Sequence, residues 1–266
     1  MTQQLDELNK NTASFYAMVR NLHQFSEVEM QGVLTSQLSL TWNERFALNC
    51  YLRGEANVHS LLKLQELRDC QAAAMIARSL IEIAIESAIL DKIDGCEMRV
   101  LVFSDSEKLA RAMGLVSHAT DPASHSESMK FINENQARIQ GLKASLWGKT
   151  KDVRHWSGKD LAQRAGIAGE PFAKLYWQDY KLRSWHSHAG FVGFQSSEES
   201  FYLSLLADSY LCAATAYELL LLQMIAKFRL YSVNQSIREK IKVAKLAAFT
   251  SDQADAEDIY RHLVIE

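Results

Sequence analysis

From Asp6 to Phe25, the residues Leu8, Phe15, Met18, Val19 and Leu22 fall near one helical face. That spacing predicts an amphipathic helix lying on a core. Thr41 followed by Glu44 forms a T-x-x-E capping box, so a second helix opens there and runs to about Leu67. Gln71 to Ile93 is the most apolar early helix. In Glu97–Leu115 the run Val100–Phe103 admits a short strand, but the pattern through Lys108–Met113 favours helix. Ser117–Ser126, rich in Ser, His, Asp and Pro, reads as a loop, and Glu127–Trp147 as helix again.

Trp147–Gly158 reads as irregular and Gly158–Gly166 as a short helix. Pro171 suits the first turn of a helix extending to about Trp185, which the glycines of His188–Phe194 then break. Ser196 or Ser197 caps a long helix to about Tyr231, roughly 50 Å at the α-helical rise. A last helix follows Ser236, and the tail from Ser251 is acidic. There is no internal repeat and no flexible linker. The expected fold is an all-α helical bundle of about eight to ten helices. Helices of 1–70 pack on a helical core at 71–232, and 233–266 adds a C-terminal helix and tail, in one continuous domain.

Composition agrees with helix. The 266 residues include two prolines, Pro122 and Pro171, eleven glycines, and 48% apolar residues. The net charge of −3 argues against nonspecific coating of nucleic acid, though not against a local basic site. The cysteines Cys50, Cys70, Cys96 and Cys212 form no C-x-x-C pair and read as reduced thiols. Met1–Lys10 is polar and acidic, unlike a secretory signal. Glu218, Gln223 and Lys227 interrupt Tyr210–Phe228, which reads as a core helix rather than a membrane span. A cytoplasmic protein without membrane contact is expected.

Within the apolar helix Ala72–Leu90, Arg78, Glu82 and Glu86 are spaced by four and stack on one stripe. A central helix must give such a stripe partners or a cavity. An internal Arg78–Glu82 ion pair and a stripe supporting a functional site both satisfy that need.

A second cluster is Tyr176-x-x-x-Tyr180-Lys181-Leu-Arg183-Ser184-Trp185-His186-Ser-His188. Imidazole moves protons near neutral pH, a guanidinium grips phosphate, and aromatic rings stack on bases. The set suits phosphodiester chemistry; it equally suits a helix C-terminus, where cationic side chains meet the dipole. On an unbroken helix Arg183 and His188 would lie about 140° apart, so they share a site only if the helix ends between them. Lys and Arg outnumber Asp and Glu nine to four from Lys143 to Arg183, and six to one from Lys227 to Lys245. Both excesses lean toward a polyanion partner such as RNA, with Lys181, Arg154 and Trp185 as contacts.

Arg78-Ser-Leu-Ile-Glu82, Trp156 with Asp160-Leu-Ala, Tyr176 to Tyr180, and Ser184-x-x-x-His188 occur in that order. Together they resemble an uncharacterised bacterial helical family related to HEPN domains, over roughly Ala73–Phe228. The resemblance implies a HEPN-like helical core, a homodimer, and a metal-independent endoribonuclease of toxin or phage-defence type that needs no cofactor. By the same resemblance Arg183 binds the scissile phosphate and His188 transfers a proton as a ribose 2′-hydroxyl attacks. Ser184, His186, Tyr180 and Tyr176 are the expected helpers, with Arg78 and Glu82 as buried support. A protein partner or antitoxin is a further expectation.

Two other classes compete with the nuclease. One is a non-catalytic helical protein that binds a protein partner. The other is a DNA-binding regulator, since Lys159–Ile167 resembles the first helix and turn of a helix-turn-helix, with Phe172 and Leu175 as inward residues of the second. Glu170 and Asp179 oppose that reading, because acid repels phosphate. Glu82 with Glu86, Glu55 with His59, and His186 with His188 are the candidate metal ligands, but no E-x-x-H pair occurs, and no metal is expected. Walker, dinucleotide-binding and serine-hydrolase motifs are absent from the sequence.

Overall fold

The computed structural model describes residues 2–35, 40–118, 121–148, 153–180 and 199–228, with 239, 242 and 243. The protein is all-α: the described residues form eight α-helices and no strand. The helices are α1 (Thr2–Thr35), α2 (Trp42–Leu61), α3 (Cys70–Ile89), α4 (Cys96–His118), α5 (Pro122–Trp147), α6 (Leu161–Ala168), α7 (Glu170–Leu175) and α8 (Glu199–Lys227). A 3₁₀ turn, Leu67–Asp69, precedes α3, and a π-helical turn, Tyr176–Tyr180, continues α7. The chain divides into two compact units, Met1–Ile89 with Ala165–Glu266, and Leu90–Arg164. The boundary at Leu90 lies inside the stretch 71–232.

The first unit is built around α3 and α8, with α1 against α8, α2 against both, and α7 and the π turn against α3. Sequence explains the centre. On α3, Ala73, Ala74, Ala77, Leu80, Ile81 and Ala84 have no exposed surface, and on α8 Ala213, Ala214, Ala216, Tyr217 and Leu220 are equally enclosed. Alanine adds no side-chain entropy cost in a helix and lets backbones approach. On α2 the close approach needs glycine: a Cβ on Gly54 would lie 2.5 Å from Leu220 Cδ2 of α8. By length and composition α8 could cross a membrane, yet 67% of its most apolar window is buried inside the protein, as in a core helix.

The Thr41 capping box forms as expected: Glu44 N–H donates to Thr41 Oγ1 at 3.3 Å, and Thr41 N–H to Glu44 Oε2 at 2.7 Å. Helix α2 stops at Leu61, short of the expected Leu67. The carbonyls just past its end find side-chain donors: the Tyr16 hydroxyl donates to Leu62 O at 3.0 Å, and the Tyr210 hydroxyl donates to Leu64 O. These two rings meet edge to face, 5.4 Å between centroids. Free cysteine is the state of Cys50, Cys70, Cys96 and Cys212, all buried. Burial pushes the Cys50 and Cys70 thiols up and makes them poor nucleophiles.

The second unit is a hairpin of α4 and α5 sealed by Leu109, Ala112, Ile132 and Ile139, with Val116 and Phe131 beside them. Val100–Phe103 is helical. Helix α5 begins at Pro122, five residues before the expected Glu127. Asp121 caps it by accepting from Ala123 N–H at 3.3 Å and Ser124 N–H at 2.9 Å, with Pro122 in the first turn. The Ser, Asp and Pro that signalled a loop are thus the start of the helix. At the far end, Gly158 adopts φ +70° where a Cβ would sit 2.6 Å from Trp147 Cδ1. The Arg99 guanidinium lies 5.8 Å from the Trp147 ring centroid.

Candidate functional site

The best-defined candidate site is where α3 meets the π turn. Tyr180 is buried, and its hydroxyl donates to Glu82 Oε1 at 2.6 Å. Arg78, one turn before Glu82, sets Nε 3.3 Å from the same oxygen and lays its guanidinium over the Tyr180 ring, 4.8 Å from the centroid. The stripe spacing of α3 therefore yields both the ion pair and a junction with a segment 98 residues later. The guanidinium is held by a carboxylate and a π face together.

Tyr176 extends the cluster. Its ring stacks on Tyr180 with centroids 5.3 Å apart and planes 22° apart. Trp177 meets Tyr176 edge to face at 5.2 Å and is 57% exposed. The order is thus Glu82, Arg78, Tyr180, Tyr176, Trp177, running from the core helix to the surface. The π turn permits it, because a wider turn shifts side-chain register within five residues, and such turns recur at functional sites. Burial and the Glu82 carboxylate push the Tyr180 hydroxyl up to about 12, while Arg78 pulls the other way. Tyr180 is therefore a neutral donor at ordinary pH.

Of the expected site residues, the structure brings together Arg78, Glu82, Tyr176 and Tyr180; Arg78 and Glu82, expected as buried support, are instead partly exposed, at 25% and 41% of their side chains. Arg154 is exposed in the second unit. Lys181, Arg183, Ser184, Trp185, His186 and His188 lie outside the described residues. No protein-family model, curated protein or solved structure matches the chain.

A second polar cluster, inside the first unit, has Glu55 at its centre. Tyr51 donates to Glu55 Oε1 at 2.9 Å, Tyr217 donates to the same oxygen, and the Ser26 hydroxyl touches both Glu55 and Tyr217. His23 Nδ1 lies 3.3 Å from Glu55 Oε2, and the His23 and His59 rings meet edge to face at 6.1 Å. Burial, then the Glu55 charge, raises both Tyr51 and Tyr217. Glu55 thus ties α1, α2 and α8 together by hydrogen bonds. Among the described residues no group of three or more His, Cys, Asp or Glu is placed to hold a metal. Sequence spacing singled out Glu55 with His59 but gave no sign of Ser26 or Tyr217, which reach Glu55 only through helix packing. It also gave no sign of Trp177 as an exposed ring.

Helices α6 and α7 are separated by Gly169 alone, at φ +113°. A helix-turn-helix uses a turn of about three to four residues. Phe172 and Leu175 do point inward, and α7 spans only Glu170–Leu175 before the π turn.

Proposed function

We propose that the protein is a metal-independent endoribonuclease of HEPN type acting in the cytoplasm as a toxin or phage-defence effector, with Arg183 and His188 at its centre. One observation supports this reading above others: Arg78 and Glu82 join Tyr180, the residue that leads directly into the Lys181–His188 segment. The Arg78–Glu82 stripe and Tyr180, two parts of the motif set on which the HEPN resemblance rests, thus meet in space. In the proposed reaction Arg183 holds the scissile phosphate by its planar fork. His188 moves a proton as the 2′-oxygen bonds to phosphorus and the bond to the 5′-oxygen breaks, leaving a 2′,3′-cyclic phosphate and a 5′-hydroxyl. A homodimer and a protein partner or antitoxin belong to the same proposal.

The test is cleavage of a mixed RNA pool by purified protein with chelator present, wild type against His188→Ala. Cleavage that persists in chelator and disappears in the variant supports the reading. Cleavage that the substitution leaves unchanged, or no cleavage by either protein, counts against it.

A non-catalytic, partner-binding protein is the second reading. It draws on Met98, Leu101, Met113 and Leu115 of α4, large apolar side chains that are 43–49% exposed. Association that Leu101→Lys abolishes, with no RNA cleavage by the wild type, would favour it.

A further inference from the structure

We propose that α4 and α5 are half of a four-helix bundle, which the hairpin of a second copy of this chain completes, α4 against α4 and α5 against α5, both antiparallel. This gives a surface to the homodimer of the reading above and depends on no RNA chemistry. On α4, Val102, Asp105, Leu109, Ala112 and Val116 are buried or half-buried. Leu109, Ala112 and Val116 seal the hairpin, and Asp105 pairs with Arg138 of α5. Their alternate spacing by three and four is that of a coiled-coil seam. A second seam runs one residue earlier: Glu97, Leu101, Ser104, Lys108, Arg111 and Leu115, all exposed. Leu101 and Leu115 leave 49% and 43% of their surface open. One residue turns a helix by about 100°. In a square bundle each helix has two neighbours at right angles, so α5 takes one seam and the other faces the place of the next helix.

The pattern selects the occupant. Because α4 and α5 run antiparallel, the stripe one residue earlier on α5 borders the same side of the hairpin. It holds Phe131, Glu134, Arg138 and Gly141, of which Phe131 is half-buried and the rest exposed. An antiparallel copy sets each position against the one equally far beyond the seam's midpoint. On α5 that places Glu134 beside Arg138 of the second copy, and Phe131 over Gly141, around whose missing Cβ nothing lies within 4 Å. On α4 it lays the Arg111 stem along Leu101 and brings its charge within a turn of Glu97. A parallel copy in register would set Glu134 on Glu134 and Lys108 on Lys108 instead. The two midpoints, Ser106 and Gln136, are level in the hairpin, since Arg138 Nη2 lies 3.2 Å from Asp105 Oδ2. One two-fold axis therefore serves both seams. Helices of 23 and 26 residues are roughly 35 Å long and pack about 10 Å apart, so this face measures roughly 700 Å², close to the ~800 Å² that each partner of a stable complex buries.

Sedimentation velocity of the full chain over a range of concentrations is the test. Wild type is expected at twice the 30.1 kDa chain mass. Leu101→Lys sets two ammonium groups in the seam and is expected to weaken the dimer at least about ten-fold. Lysine is a good helix former, so circular dichroism should show the monomer still folded. Met113→Lys is the control: Met113 is 46% exposed but lies about 120° round α4 from Leu101, and its loss should leave the dimer intact. Arg111→Glu is expected to weaken association several-fold, and adding Glu97→Arg in the same chain to restore it, as only antiparallel pairing allows. A wild type that stays monomeric at micromolar concentration, a dimer that Leu101→Lys leaves whole, or equal loss in Met113→Lys would overturn the bundle. Failure of the double swap to restore association would overturn the antiparallel pairing. Monomers that gain mass only with another protein would overturn the proposal in favour of a foreign partner. None of these results touches RNA cleavage, so the ribonuclease reading is decided separately by its own assay.

Discussion

The hydroxyl of Tyr180 donates to Glu82 at 2.6 Å across 98 residues of chain. This one bond ties the π turn to the central helix, and in the sequence Tyr180 directly precedes the segment that carries the proposed catalytic residues. Arg78 reinforces it from above the ring. Cutting it should register in both stability and function.

Tyr180→Phe removes the donor and leaves the ring. The bond goes to a charged acceptor, but the Glu82 side chain is 41% exposed and water can replace the lost partner. The expected cost is about 1 kcal/mol in urea unfolding. If cleavage is observed in the wild type, its rate should fall further than stability alone explains. No change in either quantity would show that the contact positions nothing.

The same tyrosine should titrate late. Its ordinary value is 10.0, and burial beside Glu82 raises it to about 12 in the folded protein. The unfolded chain therefore releases this proton first, and between those values the folded state holds more protons. By linkage, the Tyr180 contribution to stability is intact below about pH 10 and declines as pH rises toward 12. The difference in tyrosinate absorbance between wild type and Tyr180→Phe should follow the higher value. A difference spectrum centred near pH 10 would contradict the described environment.

Glu55 should prove structural. Its side chain is 17% exposed and accepts from Tyr51 and Tyr217. Glu55→Gln places amide hydrogens among hydroxyl donors and is expected to destabilise by about 2 kcal/mol. Combined with Tyr217→Phe, the loss should be smaller than the sum of the single losses, because both act on one network. Strict additivity in chemical denaturation would show that the two groups are uncoupled.

Two glycines with positive φ separate backbone strain from crowding. Gly95 at +64° has open space around its missing Cβ, whereas Gly158 at +70° faces Trp147 at 2.6 Å. Gly95→Ala is expected to cost about 1 kcal/mol from the left-handed backbone alone. Gly158→Ala should cost roughly 2 kcal/mol or more, since an indole must also move. Thermal melts of the two variants give the comparison; equal losses would mean that Trp147 yields freely.

Local signals made much of the fold legible. The Thr41–Glu44 box starts α2 as its spacing predicts, and the alanine- and leucine-rich runs of α3 and α8 are the most buried helices of their unit. The composition of Ser117–Ser126 points to a loop because Asp, Ser and Pro serve turns and helix starts alike. Only the hydrogen bonds of Asp121 distinguish the two. Of the candidate site, the stripe of Arg78 and Glu82 was visible as helical spacing, and Tyr176 and Tyr180 as an i, i+4 pair. That the two sets touch was not, because nothing local relates residues so far apart.

By itself, the sequence determined an all-α protein, the positions of most helices, and which of them are core. Helical period and capping act within a few residues, so each helix is read from its own stretch of sequence. Tertiary structure alone decided that Glu82 receives Tyr180, that Glu55 gathers hydroxyls from three helices, and that Trp177 is exposed while Tyr180, three residues on, is buried. Those outcomes depend on how whole helices pack, a choice made by the summed shape of many side chains that no short stretch of sequence contains.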